Sequence, residues 1–320
     1  MYNNVKLEKG LYNLSGKSFT AALEELDPSN AYAGTSLEGL DAFERQLKRY
    51  NIKVNGSDSD TVDKFFSSTE TAVLFPEYVT RCIRKGFDET VLSSICAVKT
   101  VCESGQYLGC DLTDAGSSSS YTSEGEVLTT VSIKESSTAV VLKKFGRLIN
   151  ASYEAVRRQR LDVFGVMLKS IGVNLANAIA KESVSVLTSN VQTINTSALT
   201  YDDLADLYGC FESFDMTTVI ASPAVASRIV AMQQLMETKA DANGKIILPF
   251  GSELIKSSAV NDSTVIGIDK NFALEFITST DLVMETDKLI ERQLNKITVS
   301  VTCGFKKISS GAIKVLTIGE

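Results

Sequence analysis

The chain has 320 residues, 44% of them apolar and 22% charged, with a formal net charge of −7 and neither histidine nor tryptophan. That length allows one large or two moderate domains with a sizeable core, and the acidic balance argues against a general nucleic-acid-binding surface. Without histidine, Ser-His-Asp and Cys-His enzymes are excluded, and the commonest general base and zinc ligand is missing.

Residues 1–36 are polar with scattered Gly and Asn, and predict an extended or poorly ordered arm. Lys6, Glu8 and Lys9 break the first apolar stretch, so no signal segment is expected. Leu40, Phe43, Leu47 and Tyr50 are spaced as one face of a short helix ending near Asn51, and Asn55 to Asp60 read as a turn. Phe75-Pro76-Glu77-Tyr78 reads as a helix start with proline at its first position, and Ile83, Phe87 and Val91 supply its apolar face. Glu103 to Gly125 is rich in Gly, Ser and Asp, with serines from Ser117 to Ser120. Two alternating runs follow, Val127 to Glu135 and Ala139 to Leu148; joined by Ser136-Ser137, they predict a long β-hairpin.

The next segment carries the strongest pattern. Asp162 to Leu187 is helical without interruption and would span about 39 Å at 1.5 Å per residue. Phe164, Met167, Leu168, Ile171, Leu175, Ala178, Ile179 and Val186 form a broad apolar stripe. Val166, Val173 and Val184 form a thinner one, while Gly165, Lys169, Gly172 and Ser183 fall on the polar side. Two stripes predict a helix packed on two sides. The stripe is no sustained heptad, and no run of 18 apolar residues occurs, so neither a coiled coil nor a membrane span is expected.

Thr200 is placed to cap a helix over Tyr201–Phe211, with Asp203 at its third position. Thr217 to Ala221 reads as a buried strand, and Ser222-Pro223 opens a helix to about Met236. After a turn at Asp241–Gly244 the chain is mostly strand. Ile297, Val299, Val301 and Cys303 alternate with Lys296, Thr298, Ser300 and Thr302, and Ala312 to Ile318 forms a last strand.

Chemistry is sparse. Ser15-Gly16-Lys17-Ser18 resembles the end of a phosphate-binding loop, but Leu11 stands where the first glycine is needed. Asp202-Asp203 suits a helix first turn, and Glu24-Glu25 a polar surface. The six cysteines include no C-x-x-C pair and read as buried free thiols from a reducing compartment. No catalytic, cofactor or metal residues are assigned. The densest positive cluster is Arg157, Arg158 and Arg160, after Lys143 and Lys144, with Glu154 alongside. Positive charge at a helix start is locally unfavourable, so these six residues are read as inter-subunit contacts.

The order of elements resembles the major capsid proteins of tailed bacteriophages, the family with the HK97-type fold. The resemblance rests on Leu40-Asp41-Ala42-Phe43-Glu44-Arg45-Gln46-Leu47, on Phe75-Pro76-Glu77-Tyr78-Val79, and on Leu142 to Lys181 with Ser152-Tyr153-Glu154 and Gln159-Arg160-Leu161-Asp162. The strand-rich end, Thr264 to Ile318, is similar as well. The resemblance implies an α+β fold. Its parts would be an N-terminal arm (1–75), a first peripheral-domain helix segment (76–102) and an extended E-loop (103–148). The spine helix (149–198), an axial A-domain (199–258) and peripheral strands returning to the A-domain (259–320) would follow. Val127 to Leu148 would be the E-loop hairpin that reaches over a neighbour. The implied function is that of a non-enzymatic protein assembling with itself into pentamers and hexamers, forming an icosahedral shell around a double-stranded DNA genome. A separate scaffolding protein and a portal are the implied partners, with no membrane and no sequence-specific DNA contact. Assembly would take place in the host cytoplasm, and the protein would reside in the virion. An encapsulin-like compartment shell on the same fold is the alternative.

Overall fold

The computed structural model describes residues 5–13, 17–88, 95–114, 123–128, 131–235, 244–279, 282–289 and 294–319. The predicted features at Ser15-Gly16, Val91, Ser117–Ser120, Met236 and Asp241 lie outside these residues. In chain order the first helices are α1 (Phe19–Leu26), α2 (Ala42–Arg49) and α3 (Thr69–Asp88). Strands β1 (Val98–Val101), β2 (Gln106–Tyr107), β3 (Cys110–Asp114), β4 (Val131–Glu135), β5 (Val140–Val141) and β6 (Lys143–Ser152) come next. Then come α4 (Tyr153–Arg157), α5 (Leu161–Thr188), β7 (Gln192–Thr196), α6 (Tyr201–Gly209), β8 (Thr218–Ala221) and α7 (Pro223–Val230). The chain ends in β9 (Ile246–Ile247), β10 (Glu253–Lys256), β11 (Thr264–Ile268), β12 (Leu274–Thr278), β13 (Val283–Leu289), β14 (Leu294–Lys307) and β15 (Ile313–Ile318). The chain divides into two units: Met1–Glu89 with Gly146–Leu175 and Leu282–Val299, and Thr90–Phe145 with Ala176–Asp281 and Ser300–Glu320.

In the first unit the arm is folded rather than extended. Ser18 caps α1 by accepting from the Ala21 N–H at 3.2 Å, and Phe19, Ala22 and Leu23 bury the face that this spacing creates. Asp41 and Glu44 form a reciprocal capping box on α2, where Phe43 and Leu47 are buried as expected. Between the two helices Arg45 is fully buried. Its guanidinium reaches Asp27 Oδ2 at 2.9 Å, the Asp27 carbonyl, Ser29 Oγ at 2.9 Å and the Leu40 carbonyl at 2.5 Å, and it lies over the Tyr32 ring. A buried guanidinium with this many acceptors fixes the loop between α1 and α2. Composition alone hid this, because the segment's polar residues are spent on each other.

Helix α3 begins seven residues before Pro76, not at it. Ser68 and Thr71 cap its start reciprocally, each side-chain oxygen accepting from the other's N–H at 3.1 Å. Pro76 then removes one ladder donor inside the helix. Tyr12 from the arm enters at that point: its hydroxyl donates to the Val73 carbonyl at 2.7 Å and accepts from the Glu77 N–H at 3.1 Å. The arm therefore supplies the bridge for a helical turn that proline opens.

Against α3 lies the first half of α5. A Cβ on Gly172 would stand 2.0 Å from the Ile83 carbonyl oxygen, and one on Gly86 would stand 2.0 Å from the Lys169 carbonyl oxygen. The two backbones touch where side chains would normally intervene. Gly172 is therefore buried rather than on a polar side, as is Ser183 further along. The predicted broad stripe is only partly inward: Phe164, Leu168, Leu175 and Ile179 are buried, whereas Met167 is half exposed. By length and mean hydropathy (1.5) α5 could cross a membrane, but these side chains and Leu187 are buried against protein.

The second unit is built on a mixed sheet in the order β7-β15-β11-β8-β10-β9. Strand β8 is buried along its length and pairs with β11 antiparallel (Ile266 opposite Ile220) and with β10 in parallel. Helices α6 and α7 cover it through Leu204, Leu207, Val225 and Ile229. Both caps are as predicted: Thr200 with Asp203, and Ser222 accepting from Val225 with Pro223 at the first position. Helix α7 ends at Val230, short of the predicted Met236, and a 3-10 turn over Gln233–Leu235 follows. Strand β12 pairs with β1 in parallel and with the end of β14 antiparallel. Ile297, Val299, Val301 and Cys303 are buried, as their alternation predicts.

Candidate subunit-contact surfaces

A hairpin forms in the second unit, but not from the two strands expected. β4 does not fold back on β6; it pairs with β3, Cys110 opposite Glu135 and Leu112 opposite Ile133. Below it β5 pairs with β2, Val141 opposite Gln106. The two arms are thus residues 106–114 and 131–141. The polar stretch before Gly125 supplies one of them, because a ladder needs backbone groups and not apolar side chains.

Its root is tied down. Tyr107 Oη donates to Glu275 Oε1 at 2.9 Å, and Lys306 Nζ reaches the Cys110 carbonyl at 2.9 Å and Asp111 Oδ1 at 2.8 Å. The Lys306 ammonium holds the Asp111 carboxyl below its ordinary pKa. Val140 and Leu142 rest on Gly304, where a Cβ would meet both within 3.0 Å. Above the root the hairpin is bare: Val127 is 93% and Leu128 73% exposed, and Leu108, Ile133 and Val141 are at least half exposed. A two-stranded ribbon of this kind has little stability alone. So many exposed apolar side chains on one ribbon make it a candidate surface for contact with another chain. Leu108 and Val141 escaped the sequence reading because exposure depends on pairing. A second apolar face, Val163, Val166 and Met167 at i, i+3 and i+4, lies exposed on the first half of α5.

Among the described residues, each predicted basic residue except Lys144 has a partner in its own chain. Arg160 donates to Asp162 at 2.9 Å and to the Gly56 and Ser57 carbonyls at 3.0 Å, which pins the turn at Gly56 (φ 93°) to the start of α5. A hydrogen bond from Ser59 and the Arg160 guanidinium hold Asp162 below the usual carboxylate range. Arg157 lies 3.8 Å from Asp63 and over Phe66, Arg158 lies 4.0 Å from Glu154, and Lys143 lies 2.6 Å from Glu182. Lys144 is exposed. The helix-start penalty is thus answered within the chain for Arg160, while Arg158 and Glu154 stay more than three-quarters exposed.

The cysteines are free, but only Cys303 is buried; Cys110 is exposed and the others are half-buried. Burial pushes the Cys303 and Cys96 thiols up to about 12, which makes them poor nucleophiles. Among the described residues no group of three or more Cys, Asp or Glu is placed to hold a metal.

Comparison with known proteins agrees with this architecture. The family profile described as phage capsid protein matches residues 134–305, more than half of the chain. A search of curated protein sequences finds no match. Among solved structures, the capsid of the native GTA particle superposes with a TM-score of 0.53 at 16% identity, over 74% of this chain and 91% of that one. The encapsulin complex of Synechococcus elongatus gives 0.54 at 15%, over 72% and 90%. The capsid of cyanophage P-SCSP1u gives 0.50 at 14%, over 72% and 89%. These likenesses establish the HK97-like α+β capsid fold. The chain belongs to the phage capsid protein family: it is a shell-forming major capsid protein, a structural component of the virion that assembles with copies of itself.

Proposed function

We propose that this protein closes into pentamers and hexamers, and these into an icosahedral shell around a double-stranded DNA phage genome, without catalysing a reaction. The observation that carries the reading is the hairpin over residues 106–141, rooted by Lys306 and Glu275 and bare of cover above. Burying Val127 and Leu128 alone would contribute on the order of 1.5–3 kcal/mol each. In this reading residues 1–75 serve as the arm, 103–148 as the E-loop and 199–258 as the axial domain at the capsomer centre. Arg157, Arg158, Arg160, Glu154, Lys143 and Lys144 contribute polar contacts between subunits, with the exposed Arg158, Glu154 and Lys144 foremost. A scaffolding protein and a portal assist assembly in the host cytoplasm. The family match favours a phage shell over an encapsulin-like compartment.

The test is to replace residues 111–134 by a two-residue turn, which the Cys110–Glu135 pairing permits. The shortened chain is expected to fold but to give no stable shells by sedimentation and electron microscopy. Shells of normal size and yield would refute the assignment.

A further inference from the structure

The first unit contains a groove of about 1210 Å³ lined by α1, the middle of α3 and the start of β13. Its floor is apolar, with Phe19, Val73 and Leu282 each less than a tenth exposed. Its rim carries the exposed cations Lys9, Lys17 and Arg84. Two carboxylates also border it, and both are already engaged. Glu77 accepts from Thr20 at 2.6 Å and Arg81 at 2.9 Å, and Glu24 accepts from the backbone N–H groups of Ser29 and Ala42. Lys17 is held by Glu25, an exposed pair that is readily exchanged. In a chain of net charge −7 this is a locally basic pocket with an oily base.

Its complement is a short acidic segment followed by exposed apolar residues, and the chain carries one. In the segment between β3 and β4, Ser123-Glu124-Gly125-Glu126 forms a turn, the Glu126 N–H donating to the Ser123 carbonyl at 3.1 Å with Gly125 at φ 88°. Val127 and Leu128 follow it almost bare. Among the described residues neither glutamate is paired with a lysine or arginine.

We propose that the segment Ser123–Leu128 of one subunit docks in the arm–α3 groove of a second copy. Glu124 and Glu126 meet Lys9, Lys17 and Arg84, and Val127 and Leu128 lie on Phe19 and Val73. The proposal rests on the reading of residues 106–141 as a loop that serves a neighbour, and it names the surface where that loop lands. Opposite charge then sets the register of the contact and excludes wrong partners.

Charge reversal with exchange tests it. Lys9→Glu with Lys17→Glu, and Glu124→Lys with Glu126→Lys, are each expected to lower the yield of sedimenting shells about ten-fold, and all four together to restore most of it. Circular dichroism checks that each soluble subunit is folded. As a second measurement, Lys17→Cys combined with Glu126→Cys is expected to give disulfide-linked oligomers under oxidising conditions that neither single variant gives. Normal assembly of the Lys9/Lys17 variant overturns the docking, as does a fourfold variant no better than either pair or a cysteine pair that yields no oligomers. The underlying loop reading fails separately, if the Glu124/Glu126 reversal and Val127→Ser with Leu128→Ser both assemble like wild type. Loss with these loop variants but not with the groove variant leaves the loop serving a neighbour at some other surface.

Discussion

Gly172→Ala sets two effects against each other. Inside a helix this change normally stabilises, by about 0.5–1 kcal/mol, because glycine loses more backbone entropy on folding. At position 172 the added methyl would lie 2.0 Å from the Ile83 carbonyl oxygen and 2.9 Å from the Phe87 nitrogen. An ordinary C···O contact is about 3.3–3.6 Å, so α3 and α5 must part by more than about 1 Å. Neither clashing atom is a side-chain end that could swing away; both are helix backbone. Opening the crossing by that much forfeits roughly a quarter to a half of each dispersion contact along it, and overpacking of this kind costs about 1–3 kcal/mol. The net expectation is destabilisation of about 1–2 kcal/mol despite the helix-propensity gain. The control is Gly209→Ala at the last residue of α6, where an added Cβ meets nothing within 4 Å. That variant should be stabilised by about 0.4–1 kcal/mol. Urea unfolding of both subunits, followed by circular dichroism, compares them directly. Unfolding of Gly172→Ala at the same or higher urea concentration than wild type would mean that the α3 and α5 backbones do not meet at Gly172.

Tyr12→Phe should destabilise by about 1–3 kcal/mol by leaving the Val73 carbonyl and Glu77 N–H without their bridge, with faster amide exchange near Pro76; unchanged exchange there would count against the bridge. Arg45→Leu should cost about 3–5 kcal/mol by stranding the buried Asp27 carboxylate, and Arg45→Leu with Asp27→Leu should cost less in the same urea-unfolding assay. The Asp111 carboxyl, its pKa lowered by Lys306, ties the hairpin root above the ordinary carboxylate pKa and lets go as pH falls through its depressed value. Amide exchange of β3 should therefore accelerate in acid, and Asp111→Asn should remove that pH dependence while exchanging faster at neutral pH.

What the sequence made legible was local. The extent of α5, the Lys296–Cys303 alternation and the caps at Thr200 and Ser222 each depend on residues within a few positions, and each is where it was expected. The failures share a different cause. Glycine has no side chain to read, so Gly165 and Gly172 counted as polar, although lacking a Cβ is what lets α3 approach. The spacing of Phe19, Ala22 and Leu23 behind Ser18 was present but was outweighed by the polarity around it. Of the partners of the basic cluster, the flanking Asp162 and Glu154 were legible, but the Gly56 and Ser57 carbonyls that also accept from Arg160 lie about a hundred residues away in sequence. The partner of β4 could not be read either, since β3 is too polar to announce itself as a strand.

The hairpin shows how these pieces act together. Its root is fixed by a tyrosine–glutamate bond and a lysine spanning Asp111 and Cys110, all anchored on β12 and β14. A ribbon held only at one end keeps its direction but gains little from its own ladder. Its apolar residues are the ones left in water, so a free subunit is less stable than the same chain with that surface covered. Burial by a neighbour, as proposed, would supply the missing term, and its contribution would grow with the logarithm of the subunit concentration. Under the proposed function, closure would multiply modest contacts, because each subunit of a ring would offer one loop and receive another. In that reading an isolated subunit, with apolar hairpin residues exposed and the hairpin root tied by Lys306 and Glu275, is poised to assemble.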